Sequence, residues 1–171
     1  GASGRPPSPD YDPLEVWLDE AHAAGLDLHA WINPFRVRHP KSLGPDAANH
    51  VSKTRPDLVR RVGPYLWLDP GEPAARDYAL SIISDVLERY AVDGVHFDDY
   101  FYPYPNEKTP FPDESSFRRH GAGRGLPEWR RANIDGFVLA VRALVRESRP
   151  GALYTISPFG IWRPEHPAGV K

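Results

Sequence analysis

Apolar positions along the chain recur with two periods, and segments of the two kinds alternate. Over "DPLEVWLDEAHAAG" the spacing is helical: Asp12 is a good N-cap, Pro13 takes the first helical position, Glu15 closes a capping box and Gly25 is a natural stop. A helix over about 13–24 is predicted. The next segment, "LDLHAWIN", alternates strictly, with Leu26, Leu28, Ala30 and Ile32 on one face and Asp27, His29, Trp31 and Asn33 on the other, which predicts a strand. The helical period returns in "GEPAARDYALSIISDVLERY", where Tyr78, Ile82, Ile83, Val86, Leu87 and Tyr90 form one stripe and Pro73 lies near the start. The strand "GVHFDDY" comes soon after. A third helix over about 128–148 carries Ile134, Phe137, Val138, Val141, Leu144 and Val145 at helical spacing, ends at "RPG" and is followed at once by the strand "ALYTISPF".

Helix and strand in strict alternation is the signature of parallel βα units, so the fold class is α/β. Parallel strands are covered on both sides, by helices or by a barrel interior. The non-aliphatic face holds Asp27, His29, Trp31 and Asn33 in the first strand, Gly94, His96, Asp98 and Tyr100 in the second, and Thr155 and Ser157 in the third. A polar and aromatic face repeated three times suits the lumen and mouth of a (β/α)8 barrel better than a helix-packed layer. A complete barrel takes about 250 residues. The 171 residues are therefore expected to form one partial barrel domain, 1–171, made of its middle βα units. The opening "GASGRPPSPDYD" and the closing "HPAGVK" are loop-like, and both ends are expected to be cut from a longer chain.

Charge and composition remove several classes of function. A net charge of −2 and a pI of about 6.4, with no local block of Lys or Arg, argue against a nucleic-acid partner. No apolar run reaches the length of about eighteen residues that spans a bilayer, so no transmembrane segment is expected. With no cysteine, a disulfide frame and a thiolate metal site are both excluded. The glycine-containing segments lack a phosphate-cradling pattern. His96, Asp98 and Asp99 match no compact ligand spacing, and neither metal nor other cofactor is expected.

In a barrel the active site forms where the chain leaves the C-terminal ends of the strands. Here those exits read "NPFRVRH", "DDYFYPYPNE" and "SPFGIWRP", each mixing polar groups, aromatic rings and prolines, as recognition of a sugar requires: apolar faces stack and hydroxyls need partners. The exits are expected to converge on one site. Asp98 ends its strand facing inward, whereas Asp99 leaves on the opposite side by alternation, with strand twist able to bring both acids round. His29 and His96, on the lumen side, read either as hydrogen-bonded structural histidines or as ligand contacts. Asn33 and Arg36 can satisfy the turn around Pro34 or meet a substrate hydroxyl or carboxylate. Trp67 and Asp69 read as a short extended segment, with Asp69 bonding the free amides of the next helix, and Trp129, Arg130 and Arg131 as a packed anchor on a solvated basic edge. The segment from about 101 to 127 shows no strong period and is longer than a plain connector, so a lid is expected there.

The stretches "DYDPLEVWLDEAHAAGLDLHAWINPFRV", "WLDPGEPAARDYALSIISDVLERYAVDGVHFDDYFYP" and "YTISPFGIWR" resemble the bacterial glycosyl-hydrolase-like family ten, which includes outer-membrane lipoproteins that cleave denuded peptidoglycan glycan strands. "DGVHFDDYFYP" and "SPFGIWR" carry the likeness as a pair. The resemblance implies a (β/α)8 glycosidase of which this chain supplies the third to fifth βα units, and a location in the cell envelope or outside the cell. It implies glycan strands as the partner, with Asp98 as primary catalytic carboxylate and Asp99 as its acid/base or orienting companion. Crowding two carboxyls is expected to keep one protonated near neutral pH. Tyr100 and Tyr102 would then contact the sugar, and His29, Trp31, Asn33, Arg36, His96, Ser157, Trp162 and Arg163 would line the subsites. "DGVHFDDY" is also similar to the strand motif of substrate-assisted chitinases at Asp93, Gly94 and Asp98, and departs from it at Tyr100, where their catalytic Glu would stand. The alternative is a non-catalytic carbohydrate-binding or envelope protein derived from a truncated barrel, able to self-associate through open strand edges. A lyase or deacetylase on the same barrel is a third reading.

Overall fold

A computed structural model describes residues 11–42, 44–104 and 109–158. Along the chain lie α1 (Pro13–Ala23), β1 (His29–Trp31), β2 (Arg36–Arg38), α2 (Val51–Thr54), a 3-10 turn (Pro56–Leu58), β3 (Val59–Val62), β4 (Tyr65–Leu68), α3 (Pro73–Arg89), β5 (Gly94–Phe97), α4 (Glu114–His120), α5 (Leu126–Ser148) and β6 (Leu153–Ile156). The start of α1 is set as its sequence dictates: Asp12 Oδ1 accepts from the backbone N of Leu14 at 3.1 Å and of Glu15 at 3.4 Å. Gly25 follows the helix at φ +69°, a conformation that costs glycine little.

The sheet that matters is parallel, in the order β1-β5-β6, with His29 opposite Gly94, Trp31 opposite His96, and His96 opposite Thr155. Its two faces differ as alternation requires. On one face Val95 and Phe97 are fully buried against Ile83 and Leu87 of α3 and Phe137, Val141 and Val145 of α5. Phe97 stacks on Phe137 with ring centroids 6.0 Å apart and planes 6° from parallel. On the other face His29, His96 and Thr155 remain partly exposed. The His29 ring lies over Gly94, where an added Cβ would sit 2.7 Å from the imidazole, so a larger residue at this strand position would force the ring to move.

β1 is shorter than the alternation predicts. Leu26 is 62% exposed and Asp27 is exposed as well, both outside the strand. In place of a strand partner, the backbone N of Leu28 donates to Asp93 Oδ2 at 2.7 Å, and the His22 ring meets the same oxygen at 2.9 Å. Asp93 thereby joins the end of α1, the start of β1 and the start of β5. The Leu28 amide first, and His22 next, hold its carboxyl below the usual value. A lowered carboxylate pKa contributes stability above the ordinary value that is lost as pH falls through the lowered one. Asp93→Asn should therefore cost stability near neutral pH and lose less of it than the wild type below about pH 4, as urea melts at a series of pH values would record.

Two features were not predicted. Inside the β1-to-α3 connection, β2, β4 and β3 form an antiparallel sheet in the order β2-β4-β3, with an irregular register between Arg36 and Arg38. The expected extended segment "YLWL" is its central strand; its partners "RVR" and "VRRV" are too short and too charged to show a period of two. The region from 101 to 127 contains α4, whose seven residues are too few for a helical stripe and bury only Ser116. That helix is held from outside itself: Ser116 Oγ donates to Asp69 at 2.7 Å, and Arg119 and His120 pair with Glu72. Arg130 also departs from expectation. It is not a solvated edge but forms a two-pronged ion pair with buried Asp113 at 2.6 and 2.8 Å, while Trp129 beside it is the packed anchor that was predicted.

Candidate active site

The three parallel strands deliver their exits to the same place. Asp98 stands one residue beyond β5 and Asn33 two beyond β1; continuing the register that sets Trp31 opposite His96 sets Asn33 opposite Asp98. Asn33 Nδ2 donates to Asp98 Oδ2 at 2.9 Å, and the backbone N of Tyr100 donates to Asp98 Oδ1 at 2.9 Å. Each carboxylate oxygen thus has its own donor, which fixes the plane of the group. The amide of Asn33 is oriented by this contact, since only its NH2 end can face a carboxylate. Asn33 Oδ1 is buried without a hydrogen-bond partner among the described residues.

Asp99 meets a different partner: the Tyr104 hydroxyl donates to its Oδ2 at 2.7 Å. Desolvation, and then the Asp99 carboxylate, push that hydroxyl above its ordinary value, so Tyr104 keeps its proton and remains a donor. The donors described for the two acids are different groups.

His96 is held on both nitrogens, Nδ1 against Thr155 Oγ1 at 2.7 Å and Nε2 against Ser157 Oγ at 3.1 Å, which brings the third strand exit to the second. Arg36 places its guanidinium 5.4 Å from the centre of the Tyr100 ring, and that ring also meets Trp67 at 6.0 Å and Tyr104 at 4.7 Å. Trp31 is 68% exposed. His29 packs over Gly94, nearer the start of the sheet than its mouth.

Tyr102 does not join this group. Its ring stands edge-on to Phe111 at 5.2 Å with Arg130 above it at 5.6 Å, and burial pushes its hydroxyl up. It packs the loop after β5 onto α5. The reason is local: Trp67 Nε1 donates to the carbonyl of Phe101 at 2.8 Å, so the loop does not continue the alternation of β5. Trp162 and Arg163 lie outside the described residues. Tyr65 and Tyr104 were missed, although "YLWL" and "YPYP" are aromatic enough to have nominated them. Among the described residues no group of three His, Asp or Glu side chains is placed to hold a metal ion, and no helix is long and apolar enough to cross a membrane.

A carboxylate with fixed oxygens at the mouth of a parallel sheet, a second acid one residue on, and aromatic rings around both form a set able to bind a sugar and assist cleavage of its glycosidic bond. Comparison with known proteins points to a glycosyl-hydrolase-like chain. The family model described as Glycosyl hydrolase-like 10 matches residues 4–167. The glycosyl hydrolase YngK of Bacillus subtilis (strain 168) is 36% identical over 166 residues, covering 95% of this chain and 32% of its own length. The glycosyl hydrolase DigH of Escherichia coli (strain K12) is 37% identical over 166 residues, covering 91% of this chain and 38% of its own. The chain thus spans roughly a third of the length of these curated relatives. Among solved structures, α-L-fucosidase isoenzyme 2 from Paenibacillus thiaminolyticus superposes with a TM-score of 0.56 at 14% identity, over 86% of this chain and 23% of that one. The α-galactosidase from Lactobacillus brevis gives a TM-score of 0.54 at 18% identity, over 88% and 19%. Both neighbours are glycosidases of TIM-barrel-like fold, and at these identities the likeness concerns the fold alone.

Proposed function

Because the chain belongs to the glycosyl hydrolase-like 10 family, we propose that it carries the central part of a glycosidase active site acting on N-acetylated glycan, with denuded peptidoglycan strands as substrate. The observation that carries this reading is the Asp98 carboxylate, bound by Asn33 on one oxygen and by the Tyr100 amide on the other at the tip of β5. Cleavage of a glycosidic bond develops positive charge at the sugar carbon and needs a proton on the leaving oxygen. Asp98, its plane fixed by a donor on each oxygen, is placed to oppose that charge, directly or by orienting the substrate's acetamide. Asp99 is the acid/base partner, and the Tyr104 hydroxyl holds the oxygen that is not exchanging a proton. Arg36 and Ser157 line the approach. As the chain covers about a third of its curated relatives, strands beyond it complete the barrel in this proposal.

The test is the appearance of new reducing ends when the protein is incubated with denuded glycan strands. Cleavage is expected, and Asp99→Asn should slow it by about a hundredfold or more if Asp99 is the proton donor. Full activity of that variant would move the second carboxyl to a strand outside this chain. Binding without cleavage would favour the non-catalytic reading.

A further inference from the structure

Arg38, Arg60 and Arg130 are each engaged by a carboxylate: Arg38 by Asp46, Arg60 by Asp69 at 3.0 Å and Glu72 at 3.2 Å, and Arg130 by Asp113 at 2.6 Å. Arg36 is placed differently. It stands on β2 opposite Trp67 of the β3–β4 hairpin and sets its guanidinium 5.4 Å from the centre of the Tyr100 ring. Among the described residues no carboxylate pairs with it. Asp98 takes its donors from Asn33 and the Tyr100 amide, and Asp99 takes one from Tyr104. The contact with the ring uses the charge of Arg36 and none of its five N–H donors. Its side chain is only partly buried, so those donors are within reach of a ligand.

One residue links this cation to the acids. The Tyr100 ring carries Arg36 while the Tyr100 amide holds Asp98, so both groups can meet one bound strand. Two carboxylates at the mouth of the sheet repel an anionic polymer, and a guanidinium paired with neither offsets that repulsion. A guanidinium is also a planar fork that a carboxylate can meet with two oxygens, whereas an amide brings one oxygen and no charge. That difference is the one between two kinds of peptidoglycan strand. Every second sugar carries a lactyl ether, whose carboxyl is an amide where a peptide is attached and a free carboxylate where the peptide has been removed.

We infer that Arg36 sets the specificity of this site: its guanidinium binds the free lactyl carboxylate of a muramoyl sugar and thereby selects strands stripped of peptide. The inference rests on the glycan reading above and deepens it, because it makes a charge on the substrate, rather than the sugar ring alone, the feature that is recognised.

The decisive measurement is calorimetric binding of two oligomers of alternating N-acetylglucosamine and N-acetylmuramic acid, equal in length, to protein carrying Asp98→Asn so that nothing is consumed. One has its lactyl carboxylates free and the other has them converted to methylamides. The free acid should bind tighter by roughly tenfold or more, and the ratio should shrink as salt is raised. Adding Arg36→Gln should bring the ratio close to one. Arg36→Lys, which keeps the charge and loses the fork, should retain part of it, and serves if Arg36→Gln fails to fold. Equal affinity for the two oligomers with Arg36 in place, a full preference that survives in folded Arg36→Gln or Arg36→Lys, or no binding of either oligomer overturns the inference. Failure of the hydrolase reading looks different: a preference that Arg36→Gln abolishes, with no reducing ends from the unsubstituted protein.

Discussion

Asp98→Asn should lower the rate of glycan cleavage by about a thousandfold or more, near 4 kcal/mol of transition-state stabilisation, and leave the unfolding midpoint almost where it is. The contrast follows from the contacts. Asparagine has the same shape, and its carbonyl oxygen can go on accepting the Tyr100 amide. Its NH2 would then face the NH2 of Asn33, yet Asn33 Oδ1 is the one atom of that pair with no partner among the described residues. Rotating the Asn33 amide by half a turn restores a hydrogen bond of the same kind, so the fold loses little. Chemistry has no such remedy. An amide carries no charge to set against the oxocarbenium-like carbon and accepts no proton near neutral pH. Reducing-end assays and thermal melts on the same preparation check both halves. Unchanged turnover would remove Asp98 from the mechanism, and a collapse of the melting point would make it a structural residue.

How far the sequence foretold this site depends on the range of each contact. Sidedness was legible, because alternation in "LDLHAWIN" and "GVHFDDY" places Asn33 and Asp98 on the polar face of their own strands. That the two would bond was not legible, because their meeting depends on the parallel register between residues 65 positions apart, and nothing local encodes a register. The same limit explains the hairpin. Tyr65 reaches the mouth only because β4 pairs with β2 and β3 in a sheet whose outer strands are three and four residues long and rich in arginine. Tyr102 shows a different failure. The resemblance implied that it contacts the sugar, but the chain stops being a strand at Phe97, and Trp67 then captures the Phe101 carbonyl and turns Tyr102 under α5. Helices were easier, since caps and stripes are local: Asp12, Pro73 and the stripe of α5 are where the pattern set them.

The largest loss of stability should come from Asp69→Ala, at about 3 kcal/mol or more, although Asp69 touches none of the proposed substrate contacts. Its carboxylate is fully buried where β4 passes into α3. Oδ1 accepts from the Gly71 amide at 2.9 Å, while Oδ2 accepts from Ser116 at 2.7 Å and faces the Arg60 guanidinium at 3.0 Å. Alanine removes the shared acceptor of all three donors at once. Glu72 still pairs with Arg60 at 3.2 Å and Ser116 still donates to the Asp113 carbonyl at 2.9 Å, which holds the loss toward the lower end for a broken buried pair. Burial pushes the Asp69 carboxyl up, with Ser116, Gly71 and Arg60 pulling the other way, so the neutral isostere is the milder change and Asp69→Asn should cost less than alanine. Urea denaturation of the two variants beside the wild type gives the ordering directly. Because Asp69 ties β3, α3 and α4 together, the damage should spread to the β3–β4 hairpin and to the loop after β5 that holds Tyr100. Below its own melting range Asp69→Ala should nevertheless keep most of its cleavage rate. Loss of rate in step with unfolding is the mark of a residue that supports the site, and loss of rate in a folded protein, as expected of Asp98→Asn, is the mark of one that acts in it.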